Sequence, residues 1–83
     1  VPELAVEVIS PNDRDRDIQE KLEQDFAHGA RRVWHVRTST RKVYDYASPT
    51  EVTILGEGDV LDAGPLLPGL RIEVGPLFRR TVG

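Results

Sequence analysis

Eighty-three residues make one small domain and no more. The sequence has no cysteine, which excludes disulfides and thiolate metal centres. No apolar run approaches the roughly 20 residues that cross a bilayer and no signal-peptide pattern is present, so a soluble, cytoplasmic protein is expected; the net charge of −3 speaks against a non-specific nucleic-acid coat.

Residues 3–9 are nearly all apolar and rich in β-branched side chains, bracketed by Pro2 and Pro11. They predict a strand buried on both faces. Residues 10–16 are polar, with Pro and Asn, and predict a loop. A helix follows. Asp17 and Glu20 have the spacing of a capping pair, and Asp13 or Asp15 would start the helix a turn earlier. Ile18, Leu22 and Phe26 recur every fourth residue and form one apolar stripe, and Gly29 stands where a helix C-cap belongs. Residues 32–37 read as the next strand, 38–41 as a turn, and 42–47 as the returning strand of a hairpin. Residues 51–55 form another short strand, 56–59 a turn, 65–69 a loop, 70–74 a last strand and 76–78 an apolar anchor. The fold class is therefore α+β, with one main helix packed on a mixed β-sheet. Strand–helix–strand implies a right-handed parallel crossover. Val1 leads almost at once into a strand, so residues 1–83 are expected to be a single partial domain. A chain of this size buries only about 60–65% of the surface it exposes when unfolded, and a partner is expected.

Charge is unevenly spread. Residues 26–42 hold five bases, two histidines and no acid, whereas residues 43–70 hold five acids and no base. A positive edge of this kind attracts phosphates; the ordinary alternative is a solvated strand edge kept basic against edge pairing.

One residue breaks the first strand. Side chains alternate between faces, so Glu7 shares a face with Ala5 and Ile9. An ionised carboxylate there needs a cation, a metal or several donors, or else a position open to water. A structural ion pair with Lys or Arg is the ordinary explanation. Lys21 lies three residues after Ile18, at the border of the helix stripe, where its ammonium can reach the sheet face that carries Glu7. A carboxylate and a lysine converging on one cavity can hold a divalent metal and stabilise a phosphoryl transition state. Alternatively Lys21 runs along the helix flank or pairs with Asp17 or Asp25.

At 2–11 (PELAVEVISP) and 16–22 (RDIQEKL) the sequence resembles the second half of the “putative restriction endonuclease” family, within the PD-(D/E)xK nuclease superfamily. The resemblance continues through AHGA at 27–30, VWHV at 33–36, KVYDY at 42–46, EGDVL at 57–61, LPGL at 67–70 and LF at 77–78. It implies a restriction-endonuclease-like core and magnesium-dependent hydrolysis of DNA by a metal-activated water. Carried over, Glu7 is the second metal-binding acid. The residue two after it is Ile9, so the lysine of the signature is not on the strand and is supplied by the helix as Lys21. Oxygen ligands and few protein contacts suit Mg²⁺.

The departures matter. The family's first metal-binding aspartate belongs to a strand before Val1 and is not in this sequence. Glu3, Asp25 and Arg37 stand where members usually carry aspartate, tyrosine and aspartate. Glu3 shares a face with Glu7 but lies roughly 13 Å along the strand, too far to hold the same ion. The resemblance therefore implies half a metal site.

Other residues carry less. His28 and His35 have no partner at a metal-ligand spacing. Ser10 has no histidine–acid pair to activate it and suits a turn. The 56–59 segment lacks the helix and lysine of a phosphate loop. Trp34, Tyr44 and Tyr46 could stack bases, but adjacent strands more often join such residues in a cross-strand core pair.

Two functions compete. The first is a magnesium-dependent DNA endonuclease, represented by part of its fold. The second is a catalytically inactive relative that serves as an oligomerisation or interaction module. A homo-oligomer is expected, because a missing strand leaves a sheet edge open.

Overall fold

The computed structural model describes residues 3–78. Pro2, expected to bracket the first strand, lies outside them. In chain order the elements are β1 (Leu4–Ile9), α1 (Asp15–Ala27), β2 (Arg32–Arg37), β3 (Lys42–Ser48), β4 (Glu51–Leu55), β5 (Val60–Asp62), β6 (Arg71–Glu73) and α2 (Val74–Leu77). The first four strands form one mixed sheet in the order β1-β2-β3-β4. β1 and β2 are parallel, and the remaining neighbours are antiparallel. β5 and β6 form a separate antiparallel pair. The class is α+β, as expected, with one main helix on a mixed sheet.

The helix starts differently from its expected signal. Arg14 is the N-cap and makes no side-chain capping bond. The polar loop before it is closed by its own side chains instead. The Ser10 amide donates to Asp13 Oδ2 at 2.8 Å, and the Asn12 amide donates to Ser10 Oγ at 3.1 Å. Asp15 and Asp17 fill the first turn, where the helix dipole favours carboxylates. The end of α1 matches its signal. Gly29 has φ 111°, its amide donates to the Phe26 carbonyl, and the Ala30 amide donates to the Asp25 carbonyl. This is a Schellman motif, and glycine accommodates the left-handed residue it requires. Ala30 then tucks into the core beside Leu22.

Each face of the sheet carries one buried cluster. Towards α1, Ala5, Leu22, Ala30 and Val33 are buried together, with Phe26 and Tyr46 against them. On the other face, Trp34, Val43, Leu61, Ala63 and Val74 form the second cluster. This second layer comes from β5, β6 and α2. The β5 strand was not anticipated, and the expected apolar anchor is a single helical turn. That turn docks closely: the Val74 amide donates to the Asp59 carbonyl at 3.0 Å, and a Cβ on Gly75 would lie 2.9 Å from the Glu57 carbonyl oxygen.

Two expectations fail here. β1 is not buried on both faces, since Val6 and Val8 are 54% and 69% exposed. β1 is an edge strand, and the β5–β6–α2 layer packs on Leu4 and on β2 and β3 without reaching those valines. Trp34 also does not pair with a tyrosine. Its cross-strand neighbour is Asp45, while Tyr44 and Tyr46 project from the opposite face.

Asp45 is the anchor of that neighbourhood. It is buried, yet accepts from Arg32 Nε (2.9 Å), Arg32 Nη2 (3.1 Å) and Trp34 Nε1 (3.1 Å). The hydrogen bond to Asp45 raises the Arg32 pKa, against a smaller opposing effect of burial. Removing the carboxylate strands a part-buried guanidinium and a buried indole N–H. Asp45→Ala is therefore expected to cost about 3 kcal/mol, as for a broken buried pair, read from urea unfolding; a loss under about 0.5 kcal/mol, the range of ordinary surface substitutions, would contradict this account.

Among the described residues the other buried polar side chain is His35, at 1% exposure. Burial first, then the charge of Arg37, push its pKa below the usual 6.5, while Asp25 pulls weakly the other way. The unfolded chain therefore binds the proton more readily than the fold does. This contribution to stability is complete above about pH 6.5 and is lost as pH falls from there through the folded value. The urea midpoint of the protein is expected to decline between about pH 7.5 and 5.5. The decline should be shallower in His35→Leu; equal slopes would remove His35 as the cause.

Candidate active site

The site grows out of the β1–β2 register. The parallel pairing aligns Ala5 with Val33, Glu7 with His35, and Ile9 with Arg37. The antiparallel pairing continues these rows to Tyr46, Tyr44 and Lys42. On the helix side the sheet therefore passes, row by row, from apolar to polar to basic. α1 lies above. Ile18 and Leu22 are its buried residues, and Lys21 emerges beside them.

Lys21 Nζ reaches Glu7 Oε2 at 3.4 Å. The Glu7 side chain is 25% exposed and that of Lys21 58%. The ammonium thus bridges from the helix flank to the sheet rather than pairing along the helix with Asp17 or Asp25. Both groups line a cavity of about 260 Å³, with Asp13, Asp17 and His35 also in its wall. The two residues singled out in the sequence as carboxylate and lysine are brought together.

His35 was not expected here. Its place was given by the strand, but its neighbour was not, because only the register sets it across from Glu7. Neither ring nitrogen has a hydrogen-bond partner among the described residues, and Asp25 Oδ2 beneath the helix is likewise buried without one. Buried polar groups are rarely left so. The low proton affinity of His35 keeps its imidazole neutral near pH 7, so one nitrogen can accept and the other donate. The Tyr46 ring packs edge-on against it at 5.1 Å, which fixes the ring plane. His28 lies at the helix C-cap, exposed and away from the cavity wall. Ser10 is consumed by its turn.

Glu7 offers one carboxylate, whose hard oxygens suit an ion such as magnesium. Among the described residues no group of three or more His, Cys, Asp or Glu is placed to hold a metal ion. Magnesium needs few protein ligands and keeps several waters. The donor set fits one carboxylate arm of such a site and not a closed cage. No described helix is long and apolar enough to cross a membrane.

Comparison with known proteins bears on this geometry. No curated protein matches the sequence significantly. Among solved structures the fold is similar to “a putative nuclease belonging to DUF820 from Anabaena variabilis ATCC 29413”, with a TM-score of 0.79 at 16% identity. The match covers 94% of this chain and 44% of that one, so the chain spans less than half the length of that neighbour. At this identity the likeness speaks for the fold alone. The sequence itself is matched over residues 1–75 by the family model described as “Putative restriction endonuclease”, a span that takes in β1, α1 and both residues of the Glu7–Lys21 pair, and the chain belongs to that family.

Proposed function

We propose that this chain carries part of the active site of a DNA endonuclease that hydrolyses phosphodiester bonds with magnesium. The observation that carries the reading is the convergence of Glu7 and Lys21, 3.4 Å apart, in one cavity. In a nuclease these two groups have separate work. Glu7 is the carboxylate arm that holds the metal. Lys21 places a positive N–H donor against the phosphoryl oxygens, where negative charge grows as water attacks phosphorus. Its exposure leaves the ammonium free to swing from Glu7 to a substrate oxygen. Magnesium, when bound, polarises the phosphoryl group and makes the water more acidic. α1 shields the apolar end of the face, and the polar row opens towards the C-terminal ends of β1 and β2, the side on which open α/β sheets take ligands.

The site needs a second acid. A segment beyond these residues, or a second copy, supplies it in this reading. Joined to that acid, the protein is expected to nick plasmid DNA with magnesium or manganese. Glu7→Gln and Lys21→Gln should each slow nicking by about 10²–10³-fold, the usual effect of removing one electrostatic group, with little change in melting temperature. Undiminished nicking in both variants would sink the assignment.

The 83 residues alone hold one arm of the site, so they are expected to show no sub-micromolar Glu7-dependent manganese binding by calorimetry. A tight site that vanishes in Glu7→Gln would mean that the second ligand is already within the chain.

A second reading, an assembly module, is favoured by β1. Among the described residues no strand pairs with its outer edge, and Val6 and Val8 stand exposed there. Such an edge recruits another strand. Sedimentation should show concentration-dependent association that Val8→Lys weakens; a monomer at high concentration would remove this reading.

A further inference from the structure

A second pocket adjoins the first. It has about 260 Å³ and lies past the end of β2, lined by Arg37, Ser39, Thr40 and Tyr44 on one side and by Asp13 and Asp15 on the other. Ile9, Asp13 and Ile18 line both cavities, so the two are continuous around Ile9.

Arg37 is the centre of this pocket. Its guanidinium carbon sits 4.3 Å above the centroid of the Tyr44 ring. Stacking of this kind orients the planar group and leaves its rim of donors for a planar or tetrahedral oxyanion. Among the described residues no carboxylate pairs with Arg37, whereas Arg31, Arg32 and Arg41 each have one. Its Nε is buried without an acceptor. Lys42 is its register partner on β3, exposed on the same face. Two hydroxyls, Ser39 and Thr40, complete the wall. Of the facing acids, Asp13 is already occupied by the Ser10 amide.

We infer that this pocket binds a backbone phosphate of a nucleic-acid strand, with Arg37 as the principal contact, next to the phosphodiester that enters the Glu7–Lys21 cavity. The inference rests on the proposed nuclease site but names a different part of it. Glu7 and Arg37 stand on successive rows, one two-residue step of roughly 6.6 Å along the strand, which is of the order of the separation between neighbouring phosphates. The pocket contributes binding and register, and Arg37 is a positioning residue and not a catalytic one. It also gives a specific purpose to part of the basic 26–42 stretch: three of its five bases are tied to carboxylates, and the two that have none among the described residues, Arg37 and Lys42, lie side by side.

The test is anisotropy of a fluorescent oligothymidylate with the 83-residue protein, in EDTA and over a range of salt. Arg37→Gln should weaken binding roughly tenfold at low salt and flatten the log K against log salt slope by about 0.7–1, one phosphate contact. Ser39→Ala with Thr40→Ala leaves the Arg37–Tyr44 stack intact and should weaken binding about threefold with the slope unchanged. Arg71→Gln removes the same charge from β6 and should do neither. Wild-type affinity in Arg37→Gln, an equal loss in Arg71→Gln, or no binding by the wild type at low salt would each overturn the inference. Lys21→Gln separates it from the reading beneath it. A loss there with Arg37 silent leaves the Glu7–Lys21 site standing and removes the pocket; a loss in Arg37→Gln with Lys21 silent upholds the pocket and leaves the Glu7–Lys21 site to stand or fall on the nicking rates alone.

Discussion

The parallel register of β1 against β2 is the constraint on which the rest depends. A slip of one residue would turn every side chain of β1 to the other face. In the observed register Ala5 and Val33 meet beneath Leu22, and that apolar contact fixes where α1 lies. The same register then has no choice about Glu7, which must stand next to His35 and under the flank of the helix. The Schellman motif at Gly29 and Ala30 sets how soon the chain re-enters the sheet. Packing at one end of the face thus determines polar geometry at the other.

Two carboxylates in this sheet make an instructive contrast. Asp45 is buried and fully engaged, with three donors from Arg32 and Trp34. It is explained by the fold alone. Glu7 is different. Its one ionic partner is a lysine more than half exposed, and exposed pairs contribute little to stability. A threonine or valine would suit the strand better. Beside it stand a histidine with no partner for either nitrogen among the described residues and, under the helix, an aspartate oxygen in the same condition. A stretch of sheet that is less satisfied than the fold requires is where local rules are expected to give way to function.

The legible part of the molecule was the part written in short periods. The α1 stripe at Ile18, Leu22 and Phe26, its glycine stop, and the alternation that puts Glu7 with Ala5 and Ile9 all follow from 3.6- and 2-residue repeats. Lys21 could be aimed at Glu7 on the same grounds. What stayed hidden depends on contacts between distant segments. Val6 and Val8 look like core residues because nothing local says that β1 is an edge. β5 is three residues long, too short for any periodicity, and exists through its pairing with β6. Trp34 and the tyrosines were placed on neighbouring strands correctly, but the hairpin register sends them to opposite faces. His35 and Arg37 acquire neighbours only through strand pairing, which no spacing along the chain encodes.

The edge position of β1 ties two open features together. Among the described residues its outer side has no strand partner; Val6 and Val8 stand exposed on one face, with Glu7 on the other. Any strand that pairs there lies about 4.8 Å away and meets both faces at once. On the valine face it would extend the layer that now stops at Leu4. On the helix face its side chains would enter the row of Glu7, His35 and Tyr44, within reach of the cavity that Lys21 overhangs. A carboxylate at that one register position would give Glu7 its partner, whereas an apolar residue would close the row and leave Glu7 and Lys21 a surface ion pair. In the proposed reading, the position that faces Glu7 across the outer edge of β1 is therefore the one at which a second acid would act and at which an apolar side chain would abolish the site.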